Sequence, residues 1–236
     1  MRPKIICHMM SSIDGRLLVD RWTAPATGIN AKTLRSHYDQ VASRFDSDGW
    51  IVGRTTMEEI MGINPPRVVK PAVAGLRTTH IADRKGRGVA LAIDPHGKVH
   101  YGQDNAGGDH IIAVLGEAVS DDYLSELQED GISYLFAGPD GSDLSGALEE
   151  LGKAFGLKIL LLEGGGRING SFLKAGLIDE ISLLVYPGID GLSGMPTIFE
   201  YAGGEDEQPA GDQTVRHIAT ETLEGGMVWL HYRVEK

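Results

Sequence analysis

The sequence predicts a three-layer α/β domain whose mostly parallel sheet carries an antiparallel C-terminal edge. Short apolar runs without alternation, Ile159–Leu162 above all, read as strands buried on both faces. Along most of the chain these runs alternate with amphipathic segments of helical period. The end departs from that rhythm: Val215–Thr222 and Met227–Val234, divided by Glu224-Gly225-Gly226, read as a closing hairpin.

Lys4–Met10 is the first strand, and Asp14-Gly15 turns the chain out of it. Leu17–Val19 reads as a short strand and residues 21–30, with Trp22, Pro25 and Gly28, as a loop. A helix from Asn30 to about Arg44 repeats Leu34, Tyr38 and Val41 on one face. Trp50-Ile51-Val52 is a buried strand, and Gly53 turns it into a helix that opens Arg54-Thr55-Thr56. Residues 62–88 are irregular and basic, with Arg67, Lys70, Arg77, Arg84, Lys85 and Arg87 against a single acid, Asp83. Val89–Ile93 and Ile111–Leu115 are strands; Val99–Tyr101 reads as a further strand and residues 103–109 as loop. A helix over Asp121–Glu129 leads to a strand at Ile132–Phe136. After the turn Gly138-Pro139-Asp140-Gly141, Ser142 or Asp143 caps a helix that buries Leu144, Ala147, Leu148, Leu151 and Phe155.

Ile159–Leu162 then runs through Glu163 into Gly164-Gly165-Gly166 and a helix ended by Gly176. A strand, a glycine turn and a helix start offer free N–H groups and a positive dipole end to a phosphate. Glycines remove side chains that would hold a pyrophosphate off the backbone. A tight turn that binds nothing fits the triplet equally, and its spacing is not that of G-x-G-x-x-G. The same strand–glycine–helix sequence at Gly53 makes a second candidate for the other end of an elongated anion. Ile181–Tyr186 is a strand stopped by Pro187-Gly188, and residues 191–211 form an acidic loop.

The 236 residues show no linker and read as one domain, 1–236. Hydrophobic residues are 42% and charged ones 23%, as in soluble globular proteins. A formal charge of −11 argues against a nucleic-acid or membrane-binding surface. No apolar run approaches the ~18 residues of a membrane span, and the N-terminus lacks a signal-peptide shape. With Cys7 as the single cysteine no internal disulfide forms, and a cytoplasmic location fits. Cys7 reads as a small core residue. The eight histidines show no ligand spacing and read mostly as surface or loop residues.

Four segments together resemble the reductase domain of riboflavin biosynthesis, which has the dihydrofolate reductase fold. Met10-Ser11-Ser12-Ile13-Asp14-Gly15-Arg16 is similar to the family's M-S-x-D-G-[KR]. Ser43-Arg44 through Thr56 is similar to a helix-terminal Arg, a strand and a turn ending in Thr. The most specific match is Leu162-Glu163-Gly164-Gly165-Gly166 through Asn169-Gly170-Ser171-Phe172-Leu173. The fourth is Gly176-Leu177-Ile178-Asp179-Glu180 with the Tyr186-Pro187 strand end. The turn G-R-T-T-M-E-E-I also resembles the G-R-x-T-W-x-x-I of dihydrofolate reductases.

The resemblance implies a dihydrofolate reductase-like α/β/α domain, NADPH as cofactor and a homodimer. It implies that Gly164, Gly165, Gly166, Arg167, Ile168, Asn169, Gly170 and Ser171 hold the cofactor's pyrophosphate and nicotinamide side. Gly53, Thr55 and Thr56 would meet the cofactor from the other turn, and Arg54 its 2′-phosphate, which a guanidinium fork suits. Met10 to Asp14 would cover the nicotinamide. Ser12, Arg44, Lys70 and Glu163 would contact substrate. The implied reaction is hydride transfer to C1′ of a ribosylamino-pyrimidine phosphate, either 5-amino-6-(5-phosphoribosylamino)uracil or its 2,5-diamino-pyrimidinone analogue. Asp14 and Glu163 are the candidates to steer a proton, although Asp14 also suits the turn residue of Asp-Gly.

The family's D-P-x-L-T-V-R is Asn64-Pro65-Pro66-Arg67-Val68-Val69-Lys70 here, which leaves a pterin or another carbonyl compound open as substrate. A non-catalytic NADPH-binding protein is the alternative of a different class. The zinc deaminase signature H-x-E…P-C-x-x-C is missing, so no catalytic metal is expected.

Overall fold

A computed structural model describes residues 1–67 and 77–236. In chain order the elements are β1 (Lys4–Ser12), α1 (Ala31–Ala42), β2 (Gly49–Gly53), α2 (Arg54–Met61), β3 (Val89–Ile93), β4 (Asn105–Ala106), β5 (Asp109–Leu115) and α3 (Asp121–Glu129). They continue as β6 (Ser133–Phe136), α4 (Leu144–Ala154), β7 (Ile159–Leu162), α5 (Gly166–Lys174), β8 (Glu180–Tyr186), β9 (Thr214–Thr222) and β10 (Val228–Glu235). The chain forms two compact units, Met1–Pro3 with Asp48–Leu160, and Lys4–Ser47 with Leu161–Lys236.

In the first unit β2 pairs parallel with β3, from Gly49 opposite Val89 to Gly53 opposite Ile93. β3 pairs parallel with β5, and β5 with β6. All five residues of β3 are buried, the burial on both faces that its unalternated sequence requires. Met57 of α2 and Tyr123, Leu124 and Leu127 of α3 pack with Val52, Ala90, Ala92, Ile111 and Ala113 in one cluster. Gly49 admits no side chain, since a Cβ there would stand 1.9 Å from the Val89 carbonyl oxygen. Asp143 caps α4, its Oδ1 accepting from the Gly146 N–H at 2.9 Å.

In the second unit β1 lies parallel to β8, with His8 opposite Ser182. β10 is antiparallel to β8 and β9 antiparallel to β10, with a bulge at His231/Tyr232. Mixed α/β pairing with an antiparallel C-terminal edge is therefore the fold class. Asn30 caps α1 by accepting from the Lys32 N–H, and Leu34 and Val41 enter a cluster with Leu184, Tyr186, Met227 and Trp229. Trp22 joins that cluster, 4.9 Å from the Tyr186 ring, which makes this loop tryptophan a packing residue. Gly176, at φ +63°, ends α5 with the reversed hydrogen bonds Gly176 N–H to Leu173 and Leu177 N–H to Phe172.

Three local expectations change. Leu17–Val19 is not a strand; a 3-10 turn covers Val19–Arg21, and the nearby pairing is a single bridge from Arg16 to Thr197. Val99–Tyr101 is not a strand either, because the Asp94 carboxylate gathers the Lys98 and Val99 N–H groups into a tight turn. The short strand is β4, within the stretch read as loop, and it pairs antiparallel with β5. Histidines are also less peripheral than expected: His8, His37 and His110 are buried within β1, α1 and β5, where each finds a hydrogen-bond partner.

Candidate functional site

The loop after β1 is stapled shut by Asp14. Its Oδ1 accepts from Ser12 Oγ at 2.7 Å and the Asp190 N–H at 3.1 Å, and its Oδ2 accepts from the Gly191 N–H at 2.8 Å. Ser12 Oγ in turn accepts from the Arg16 N–H at 2.9 Å, and Arg16 reaches the Met195 carbonyl at 2.8 Å. The Ser12 hydroxyl, then the Gly191 N–H, pull the Asp14 pKa down to about 2. At neutral pH this carboxyl holds no proton to give, and its hydrogen bonds are those of a loop staple. Met10 is half-buried and Ser12 buried at the end of β1.

A second set of contacts runs from the unit's surface into its interior. Arg44 pairs with Glu221 on β9 at 2.7 Å and lies over the Trp229 ring, 4.9 Å from its centroid. Trp229 Nε1 donates to Ser182 Oγ at 2.8 Å. Ser182 Oγ is 2.9 Å from His8 Nδ1, and His8 Nε2 is 3.2 Å from the Tyr38 carbonyl. Indole N–H groups only donate and carbonyls only accept. His8 therefore carries its proton on Nε2, and the Ser182 hydroxyl donates a hydrogen bond to Nδ1. The Tyr38 hydroxyl donates back to the His8 carbonyl at 3.0 Å. Burial, then the charge of Glu163, raises the Tyr38 pKa well above its ordinary value, which sets Glu163 beside the phenol. Arg44 and Glu163, both assigned to substrate by the resemblance, thus end one connected array. His8, Tyr38, Ser182 and Trp229 were missed from sequence; the available signal was a histidine inside the apolar run of β1.

Glu163 leads into the turn before α5. Gly165 sits at φ +78°, ψ 142°, a region other residues avoid, and caps the helix without any side-chain hydrogen bond. Its neighbours are glycine for other reasons. A Cβ on Gly164 would meet Asn169 Oδ1 at 2.4 Å, one on Gly166 the Thr197 carbonyl at 2.2 Å, and one on Gly170 the Glu200 carbonyl at 2.1 Å. Glu200 donates its N–H to the Gly166 carbonyl, and Asn169 Nδ2 donates to Ile198. Three of these glycines have a nearer reason in the chain itself: the 197–201 segment lies against Gly166 and Gly170, and Asn169 against Gly164. A bare helix start remains. Arg167 is exposed there, Ile168 half-buried, and Ser171 Oγ donates back to the Arg167 carbonyl. Asn169 Oδ1 is buried with no partner among the described residues.

The Gly53 turn belongs to the first unit. Gly53 caps α2 without a side-chain bond, Arg54 is its first residue, Thr55 is exposed and Thr56 half-buried. Arg54 pairs with Glu58, its Nη1 donating to both carboxylate oxygens at 2.7 Å. Three arginines of the basic stretch that follows are also paired: Arg67 with Asp130, Arg77 with Asp121 and Arg87 with Asp104. Lys70 lies outside the described residues.

The mixed α/β pairing with its antiparallel C-terminal edge matches the fold of solved RibD-like reductases. The model of the RibD C-terminal domain matches residues 3–228, and the chain belongs to that family. A 2,5-diamino-6-ribosylamino-4(3H)-pyrimidinone 5′-phosphate reductase of Aquifex aeolicus is 28% identical over 210 residues, 86% of this chain and 84% of that one. Among solved structures, a pyrimidine reductase-like protein of Corynebacterium diphtheriae superposes with a TM-score of 0.68 at 16% identity, covering 99% of this chain and 92% of that one. RibD of Acinetobacter baumannii gives 0.62 at 22% identity; all of this chain aligns with 59% of it.

His8 supplies a pH test. Burial first, opposed by the Tyr38 carbonyl, lowers its pKa from 6.5 to about 4. The unfolded chain then binds the extra proton between those values, so stability is complete above pH 6.5 and falls toward pH 4. The loss is roughly 3 kcal/mol at most, and His80 and His110, lowered by burial, act in the same direction. The His8 ring resonances are expected to titrate near pH 4; titration near 6.5 would contradict the assigned array.

Proposed function

We propose that this chain is an NADPH-dependent reductase of riboflavin biosynthesis. It would transfer hydride to C1′ of a ribosylamino-pyrimidine 5′-phosphate, after ring opening to the imine. Membership of the RibD C-terminal domain family and the name of the Aquifex relative support the reaction class. The observation that carries the cofactor reading is the start of α5, where no side chain caps the helix behind Glu163. First-turn N–H groups and the helix dipole suit a phosphate there. Arg54, at the first residue of α2, suits the 2′-phosphate.

When bound, the nicotinamide supplies the hydride, so the protein's work is alignment and exclusion of water. Asp14 holds the loop after β1 against residues 190–191, which fixes Met10 and Ser12 at the strand end. Glu163 accepts from the substrate's polar edge, and Tyr38 fixes its orientation. Arg44, steadied by Trp229 and Glu221, offers a cation to the substrate. Reduction of C=N consumes one proton for each hydride, and Glu163 is the residue we assign to steering it.

NADPH absorbance is expected to fall on adding 2,5-diamino-6-ribosylamino-4(3H)-pyrimidinone 5′-phosphate or its deaminated analogue, with NADPH preferred to NADH. Oxidation with a pterin or a simple carbonyl alone would reassign the substrate. Binding of NADPH without oxidation would make the chain a cofactor-binding protein.

We further propose a homodimer. β9 is exposed along almost its whole length, and Val215 and Ile218 are presented to solvent there. A second copy covering this edge would bury both. Sedimentation at micromolar concentration is expected to give twice the chain mass, and Ile218→Glu to shift it toward the monomer. A monomer in the unaltered protein contradicts the proposal.

A further inference from the structure

Glu58 stands where the proposed 2′-phosphate contact would form. It is four residues after Arg54 on α2, and both its oxygens lie 2.7 Å from Arg54 Nη1. Among the described residues it is the carboxylate that pairs with Arg54. Both side chains are partly exposed, at 44% for Arg54 and 28% for Glu58. Exposed pairs at this spacing hold their members by only about a factor of two, so Arg54 remains able to turn to a ligand.

We infer that Glu58 is a specificity-determining residue, setting how strongly the chain prefers NADPH over NADH. The inference rests on the proposed contact of Arg54 with the 2′-phosphate. A phosphate on that guanidinium brings its charge close to the Glu58 carboxylate, and like charges across one cation repel. A ribose bearing a free 2′-hydroxyl meets the opposite situation, because the carboxylate accepts a hydrogen bond from it, as acids do in NAD sites. The ordering that the ion pair gives Arg54 is the smaller effect, since it is limited by the weak hold of such pairs. Arg54 therefore favours the phosphate and Glu58 the hydroxyl, and the preference of the unaltered protein is their compromise.

Glu58→Gln keeps the side chain's length and helix propensity while removing its charge. Dissociation constants for NADPH and NADH, and for 2′,5′-ADP and AMP as probes of the adenosine end, are measured on the unaltered protein, Glu58→Gln and Arg54→Ala. Glu58→Gln is expected to raise the NADPH-to-NADH preference by about three- to tenfold. Arg54→Ala is expected to weaken NADPH by about ten- to a hundredfold and to leave NADH unchanged. If Arg54→Ala weakens NADPH while Glu58→Gln leaves the preference within about twofold, or lowers it, the inference fails and the cofactor reading stands. If Arg54→Ala leaves NADPH affinity unaltered, the 2′-phosphate contact is wrong and the role of Glu58 falls with it.

Discussion

The candidate site depends on how closely residues 197–201 pack on α5. Two backbone carbonyls, of Thr197 and Glu200, stand where the Cβ atoms of Gly166 and Gly170 would be. A hydrogen bond from the Glu200 N–H to the Gly166 carbonyl locks the approach. Backbone can come this near a helix only at glycine. The same contact makes the acidic 191–211 stretch a structural partner of α5, a role its sequence does not advertise. Gly165 at the N-cap leaves that helix start without a side-chain cap, two residues after the acid that closes β7. A glycine in place of a capping side chain ordinarily costs only about a few tenths of a kcal/mol. Here the cost falls where N–H groups would serve a ligand.

The second constraint is a buried polar array that permits one placement of protons. Trp229 can only donate and the Tyr38 carbonyl can only accept, so the Ser182 hydroxyl and the His8 tautomer between them are fixed. Such an array is stable when every member is satisfied. It ties α1, β1, β8 and β10 together, and residues expected to meet substrate lie at its two ends. Asp14 achieves a related result at the edge, spending both carboxylate oxygens on backbone and hydroxyl donors.

Much of the fold was legible because its signals are local. Unalternated apolar runs gave the buried strands, while Asn30, Asp143 and Gly176 marked helix ends by their own cap chemistry. The errors arose where a distant partner decides the structure. Val99–Tyr101 has strand composition, but the Asp94 carboxylate bends it into a turn. His8 looks like one more histidine until Ser182, far along the chain, comes to lie opposite it. Arg67, Arg77 and Arg87 look like a basic surface because the acids that neutralise them lie 17 or more residues away. The glycines after Glu163 mark a turn, but sequence alone cannot tell a neighbouring carbonyl from an expected phosphate. No linker marks the two units because each takes its residues from separate stretches of the chain.

The central claim is that the bare start of α5 receives the cofactor's phosphate. Backbone amide chemical shifts followed during an NADPH titration test it directly. Gly166, Arg167 and Ile168 are expected to move most and to saturate together with the rest of the binding curve. Saturating NADPH that perturbs amides elsewhere, while these three stay in place, would contradict it.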